Sequence, residues 1–240
     1  MPSHDRLRPL KAWRYIGAYS PELMLCIGRV RVGPLHQSFW AVWDRERLHE
    51  RTLIGSRQLR LTPGRAEVNA PDARIALSFN ETPGVETVGR SGASYAWTRK
   101  QGGVLLTGTV CLGGVTRELH ARGVIDDSAG YHERHTSWRW CAGVGIGVDG
   151  RELAWNLVEG VHDAPVNSER TVWVDGEPRE VPRTAGDGLR FDPQAERSRR
   201  DNLLIIRSAY RQPFGTFSGD VAGIALAEGY GVTEAHDAWW

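Results

Sequence analysis

The dipeptide Asp149-Gly150 constrains this chain more than any other feature. It lies within residues 123–161 (GVIDDSAGYHERHTSWRWCAGVGIGVDGRELAWNLVEGV), between two runs of alternating character. Asp-Gly in that setting is the strongest short-range signal for a two-residue β-hairpin turn. A type I′ turn sets Val148 opposite Arg151, and the register follows by subtraction. Trp138, Trp140, Ala142, Val144 and Ile146 then share one face with Leu153, Trp155, Leu157, Glu159 and Val161. Glu159 stands opposite Trp140, a lone carboxylate among indoles. The other face carries Arg139, Cys141, Gly143, Gly145, Gly147, Ala154, Asn156 and Gly160, so a further layer can approach the backbone there.

The same grammar runs through the whole chain. Thr62-Pro63-Gly64-Arg65 and Thr82-Pro83-Gly84-Val85 place proline and glycine where a type II turn wants them. Gly33-Pro34 and Asp175-Gly176 mark further hairpins. Short alternating runs recur at a spacing of roughly 8–12 residues, and no segment shows a helical stripe. These signs predict an all-β fold, an antiparallel sandwich or barrel. In residues 223–234, Ile224, Leu226, Glu228, Tyr230, Val232 and Glu234 alternate with small residues, echoing the 149–150 hairpin. That echo suggests two related β halves, 1–120 and 121–240, or else one continuous domain.

Composition removes several function classes. With 30 basic against 29 acidic residues, no whole-molecule field attracts nucleic acid or an anionic membrane. No stretch approaches the roughly 18 apolar residues of a membrane span. Cys26, Cys111 and Cys141 are odd in number and widely spaced, and the opening MPSHDRLRPLKAW lacks an apolar core. A reduced, cytoplasmic protein is expected. The pair Trp239-Trp240 either caps a sheet end or meets a partner chain, so the oligomeric state stays open.

Two groups of residues invite chemistry. A carboxylate withdrawn from water among tryptophans has its pKa raised and can donate a proton near neutral pH. Glu159 is the first candidate, and Glu228 beside Tyr230 the second. Against this, Glu159 can pair with Arg134, Arg139 or Arg207, or face solvent if the register slips. Upstream, Asp126, Asp127, Tyr131, His132, Glu133, Arg134 and His135 crowd into ten residues. His132 or His135 can shuttle a proton, with Asp126 or Asp127 orienting it; alternatively Tyr131 and Arg134 only pin a chain crossing. No metal or other cofactor is expected. Folding can bring His120, His162 and His236 to His132 and His135, but those two point to opposite faces of an extended chain, and no close-spaced Cys/His set exists. Of the ten tryptophans, Trp138, Trp140 and Trp155 are the expected cavity lining. Arg99, Arg139 and Arg207 are candidates to bind a carboxylate or neutralise a buried acid.

Six stretches carry a family resemblance: 38–45 (SFWAVWDR), 126–145 (DDSAGYHERHTSWRWCAGVG), 155–161 (WNLVEGV), 168–176 (SERTVWVDG), 210–219 (YRQPFGTFSG) and 226–237 (LAEGYGVTEAHD). Together they resemble the bacterial domain of unknown function 2804, over nearly the whole chain. The resemblance implies an antiparallel, lipocalin-like (calycin) fold. It also implies a distant similarity to the carotenoid 1,2-hydratase and tocopherol cyclase group. Members of that group have two lipocalin-like halves and protonate an alkene, using acidic groups and aromatic walls. None of their catalytic acids is carried over to a residue here.

The reading is an aromatic-lined β cavity that binds a hydrophobic or amphipathic small molecule, lipid, isoprenoid or polyketide-like. The alternative is an enzyme performing acid-assisted hydration, cyclisation or isomerisation of an alkene. In it Glu159 or an acid of the 126–135 cluster gives the proton, and Trp138, Trp140 and Trp155 shield the cation. A third possibility, an interaction role with a filled interior, needs no cavity.

Overall fold

The computed structural model describes residues 1–240 except 7, 56, 163, 204 and 205. Two antiparallel sheets hold most of the chain. The first has ten strands, in the order Leu48–Ile54, Leu35–Trp43, Met24–Val32, Lys11–Tyr19, Val115–Gly130, Ser94–Leu112, Ala73–Phe79, Arg65–Asn69 and Leu59–Thr62, with Val85–Ser91 also paired to Ser94–Leu112. The second has seven: Glu177–Glu180, Thr171–Val174, Glu152–Glu159, His135–Gly147, Ile224–Trp239, Ile206–Val221 and Leu189–Leu203. Among the described residues there is no α-helix, only the 3₁₀ turn Arg183–Gly186. The chain passes between sheets at residues 131–134, while position 121 falls inside the strand Val115–Gly130. The fold is a nearly all-β, lipocalin-like arrangement of curled antiparallel sheets.

Side-chain alternation produces three apolar layers. In Ala73–Phe79 every second residue is buried, so Ala73, Ile75, Leu77 and Phe79 face inward. They join Ile16, Leu25, Ile27, Trp40 and Leu106 in the core enclosed by the first sheet. The strand Met24–Val32 is buried on both faces at its start, because its other face meets the second sheet. There Met24, Cys26, Tyr15 and Tyr19 pack with Trp140, Val144, Val158, Trp173 and Phe214. The third layer, inside the curled second sheet, is built on Trp155, Leu153, Val172, Phe217 and Val221. Gly102 lets Trp173 of the second sheet lie against the first, since a Cβ there would sit 2.3 Å from the indole.

The two Asp-Gly turns differ. Asp175 and Gly176 both have positive φ (52° and 83°), and Val174 faces Glu177, which is the expected type I′ turn. At Asp149-Gly150 only Gly150 has positive φ (84°). The loop takes in three residues, with Gly147 N–H bonded to Arg151 C=O and Gly150 N–H to Gly147 C=O. This is a type I turn followed by a glycine bulge, and Asp149 stabilises it by accepting bonds from Arg151 N and Nε. The register is therefore one residue away from the expected one: Arg139 faces Glu159, and Trp140 faces Val158. A one-residue slip exchanges faces along the whole second strand. Trp138 and Trp140 consequently share the inter-sheet face with Ala154, Asn156 and Val158, whereas Leu153, Trp155 and Leu157 turn to the interior of the second sheet.

Candidate functional site

A cavity of about 160 Å³ lies between the two sheets. The first sheet supplies its charged wall through cross-strand pairing. Lys100 is opposite Asp126, which is opposite Tyr15, and all three reach the cavity. One residue along, Arg99, Asp127 and Arg14 form the matching row on the reverse face. There the two arginines bind Asp127 and also Glu81, closing a separate network. Adjacent aspartates thus have unlike surroundings because a strand alternates.

Lys100 Nζ sits 2.6 Å from Asp126 Oδ1 and 2.8 Å from Glu169 Oε2. Burial alone would discharge this lysine, but the two carboxylates outweigh burial and hold it charged. Burial, with Glu169 nearby, raises the Asp126 carboxyl despite the lysine. His162 Nδ1 approaches Glu169 at 3.6 Å, and its ring meets His132 edge-on at 6.0 Å. His132 is pushed down to about 3, first by burial and then by His162, Lys11 and Lys100, so its ring is neutral. Lys11 Nζ donates to the His132 and Glu133 carbonyls, and burial with Arg8 lowers it to about 7.

The second sheet supplies the aromatic wall and another acid. Glu234 is opposite Trp140, and His236 opposite Trp138. The Trp138 indole N–H donates to Glu234 Oε1 at 2.8 Å, and the Gln212 amide donates to Oε2 at 2.9 Å. Despite both donors, burial pushes Glu234 up to about 7, helped by the charge of Asp126. His236, brought down to about 4 by burial, is neutral. Trp13 stacks on His132 at 5.1 Å and parallel to Trp138 at 6.3 Å, while Tyr15 meets Trp140 edge-on at 5.1 Å. Behind Glu234 a buried polar chain runs from Gln212 to the Cys26 thiol and on to Arg197, which binds Glu50 and the Tyr210 hydroxyl.

The residues singled out in the sequence separate accordingly. Asp126, His132, Trp138 and Trp140 line this cavity. Glu159 does not: the register turns it to the other face of the second sheet, beside Leu157, where it pairs with Arg183 at 3.1 Å. Trp155 lies on the opposite face, its ring over Gly143 and edge-on to Phe217. Asp127 belongs to the arginine network. His135 is exposed, bonded to Asp237 and stacked on Trp239. Tyr131 is buried and donates to the Pro2 carbonyl. Arg134 is exposed and contributes its carbonyl to the Trp240 N–H. Glu228 accepts at the surface from the Tyr230 hydroxyl, and the Tyr230 ring lies beneath Arg45. Residues the sequence did not assign to the site, Glu234, Lys100, Glu169 and His162, come from two strands and the loop 160–170. Glu234 left a trace as the acid ending the alternation of 223–234, and His162 as a histidine that folding can bring to His132.

Among the described residues no group of His, Cys, Asp and Glu is arranged to hold a metal ion, and no helix is long and apolar enough to cross a membrane. Solved structures share the fold, two of them at a TM-score of 0.54. An AttH-type protein from Nitrosomonas europaea is 15% identical with a TM-score of 0.54, over 97% of this chain and 93% of that one. Kievitone hydratase from Nectria haematococca is 11% identical with a TM-score of 0.54, over 94% and 88%. No curated protein matches in sequence. The model of the family described as domain of unknown function DUF2804 matches residues 53–183 and 179–240. The chain belongs to that family.

Proposed function

We propose that the protein binds a hydrophobic or amphipathic small molecule, of lipid, isoprenoid or polyketide type, between its two sheets. The observation that carries this reading is the cavity itself, walled by Trp13, Tyr15, Phe39, Trp138 and Trp140, with acids at opposite sides. Apolar walls with a few convergent polar groups are the usual makings of a small-molecule site. Its volume, about 160 Å³, is close to that of an apolar protein cavity on the order of 150 Å³ that takes up benzene. The enclosed part of the ligand is accordingly one ring or one branched unit. A longer molecule extends past Arg199 and Asp201, which line the same cavity and reach solvent. 4-Vinylphenol, a single ring with an alkene and a hydroxyl, is a suitable probe. Its titration should quench tryptophan fluorescence saturably, and Val161→Phe, which fills the cavity, should weaken binding at least tenfold. Unaltered binding in that variant, with native circular dichroism, removes the ligand from this cavity.

A second reading, acid-assisted chemistry at an alkene, is favoured by Glu234. A carboxyl near 7 is partly protonated at neutral pH, as a general acid requires. Glu234 gives its proton to one alkene carbon, and the neighbouring carbon takes the positive charge beside the Trp138 and Trp140 rings. Water forms the C–O bond, and the proton it sheds returns to the Glu234 carboxylate. The net change is alkene plus water to alcohol. In isomerisation, a proton leaves an adjacent carbon instead. Asp126 and His132 share the cavity with Glu234, and Asp126 is the nearer match for a second proton carrier because His132 stays neutral. That kievitone hydratase has this fold supports the reading at the level of fold only. Glu234→Gln should abolish turnover of an alkene probe and keep its affinity within about twofold; unchanged turnover excludes Glu234 as the donor.

A further inference from the structure

A second cavity opens inside the curled second sheet. Its lower interior is filled by Leu153, Trp155, Val172 and Val221. Toward the mouth the filling stops, and a cavity of about 570 Å³ remains, within the range of roughly 300–1,000 Å³ typical of small-molecule sites. Cys141, Leu157, Leu189, Phe191 and Phe217 form its apolar bed, with the two phenylalanine rings 4.7 Å apart. The 3₁₀ turn Arg183–Gly186 packs against Glu152–Glu159 and Ile206–Val221, so it covers part of the opening. Trp140, Val158 and Glu234 line this cavity as well as the inter-sheet one and separate the two.

Four arginines line the cavity, Arg139, Arg170, Arg183 and Arg211, against Glu159, Asp187, Glu196 and Glu234, the last with its two oxygens already bonded to Trp138 and Gln212. Arg183 is bound to Glu159 at 3.1 Å and Arg211 to Glu196 at 2.6 Å. Arg139 has no ion pair among the described residues, which leaves it and Arg170 against Asp187. Arg170 is the unusual member. It is 3% exposed, and among the described residues its guanidinium bonds only neutral carbonyls, Val181 from Nε and Ala164 from Nη2. Its Nη1 is buried without a hydrogen-bond partner among the described residues. A buried cation with a donor unmet is costly in isolation, and a carboxylate is the group that both neutralises it and accepts its N–H.

We propose that this cavity binds an apolar carboxylic acid as its carboxylate, the head group met by Arg170 and Arg139 and the body laid on Phe191, Phe217 and Leu157. The site is independent of the reading given for the inter-sheet cavity. Titration calorimetry of the whole protein with octanoate and dodecanoate, and with dodecanol as the uncharged match, tests it. The acids should bind saturably, and dodecanol about tenfold more weakly than dodecanoate or worse, the size of one lost charge-assisted hydrogen bond. Arg139→Glu, at an exposed position without an ion pair, should weaken dodecanoate about tenfold and leave dodecanol unchanged. Arg170→Gln should do the same where it folds, and Arg139→Glu decides the matter where it does not. Val161→Phe, which fills only the inter-sheet cavity, should leave dodecanoate affinity unaltered. Absence of acid binding, equal affinity for acid and alcohol, indifference to Arg139→Glu, or loss on Val161→Phe would each overturn the proposal.

Discussion

Glu234 illustrates how one residue's surroundings set its chemistry. Two hydrogen-bond donors favour its ionised form, yet burial prevails and holds it at about 7. Below pH about 4.5, folded and unfolded chains both carry the proton; between 4.5 and 7 only the folded chain keeps it. Stability therefore falls as pH rises through that window and levels off above 7, a loss of roughly 3 kcal/mol. Glu234→Gln should flatten this slope, so melting temperatures of variant and wild type, measured from pH 5 to 8, should diverge upward in favour of the variant. Parallel curves would contradict the assignment. Gln212 is fully buried and donates to Glu234. Gln212→Leu removes support for the ionised form only and should move the Glu234 titration, followed by carboxyl NMR, to higher pH. At this scale the sequence was partly legible. Asp126 and His132 were singled out by crowding, but crowding could not tell Asp126 from Asp127, because only strand pairing decides which one faces Lys100 and which faces Arg99. Glu234 stood in the alternation of 223–234 without being marked as the buried acid, because its partners Trp138 and Gln212 are 96 and 22 residues away.

For the elements, a turn of three residues rather than two redirects the central hairpin. Asp149-Gly150 announces a hairpin correctly, and the identical dipeptide at 175–176 adopts the two-residue form. At 149 the aspartate keeps negative φ and bonds Arg151, so one extra residue enters the loop. Those competing bonds lie outside what dipeptide statistics encode, and the resulting slip moved Glu159 and Trp155 away from the inter-sheet face. Gly150 has open space around it, so its requirement is purely conformational. Gly150→Val should cost about 1–2 kcal/mol in urea unfolding, the penalty of left-handed backbone for a residue with Cβ. Gly143 is the opposite case, since a Cβ there would lie 2.4 Å from the Trp155 ring and 2.7 Å from the Tyr230 carbonyl. Gly143→Ala should destabilise by about 1–3 kcal/mol through overpacking, and an unchanged midpoint would mean that Trp155 has room to move.

Across the whole molecule, two curled sheets pack face to face and leave an aromatic cavity where their acidic and tryptophan-bearing strands meet. The all-β class was plain from turn spacing and the missing helical period, and the lipocalin-like fold from the family resemblance. The placement of the cavity between sheets was not, because it depends on which face of each strand meets the other sheet. The most direct measurement is anomalous diffraction from crystals soaked with 4-bromophenol, a single ring matched to the enclosed volume. A bromine peak bounded by Trp13, Trp138 and Trp140, within reach of Glu234, is the predicted result. Bromine found only elsewhere, or side chains filling the space between those indoles, would contradict it.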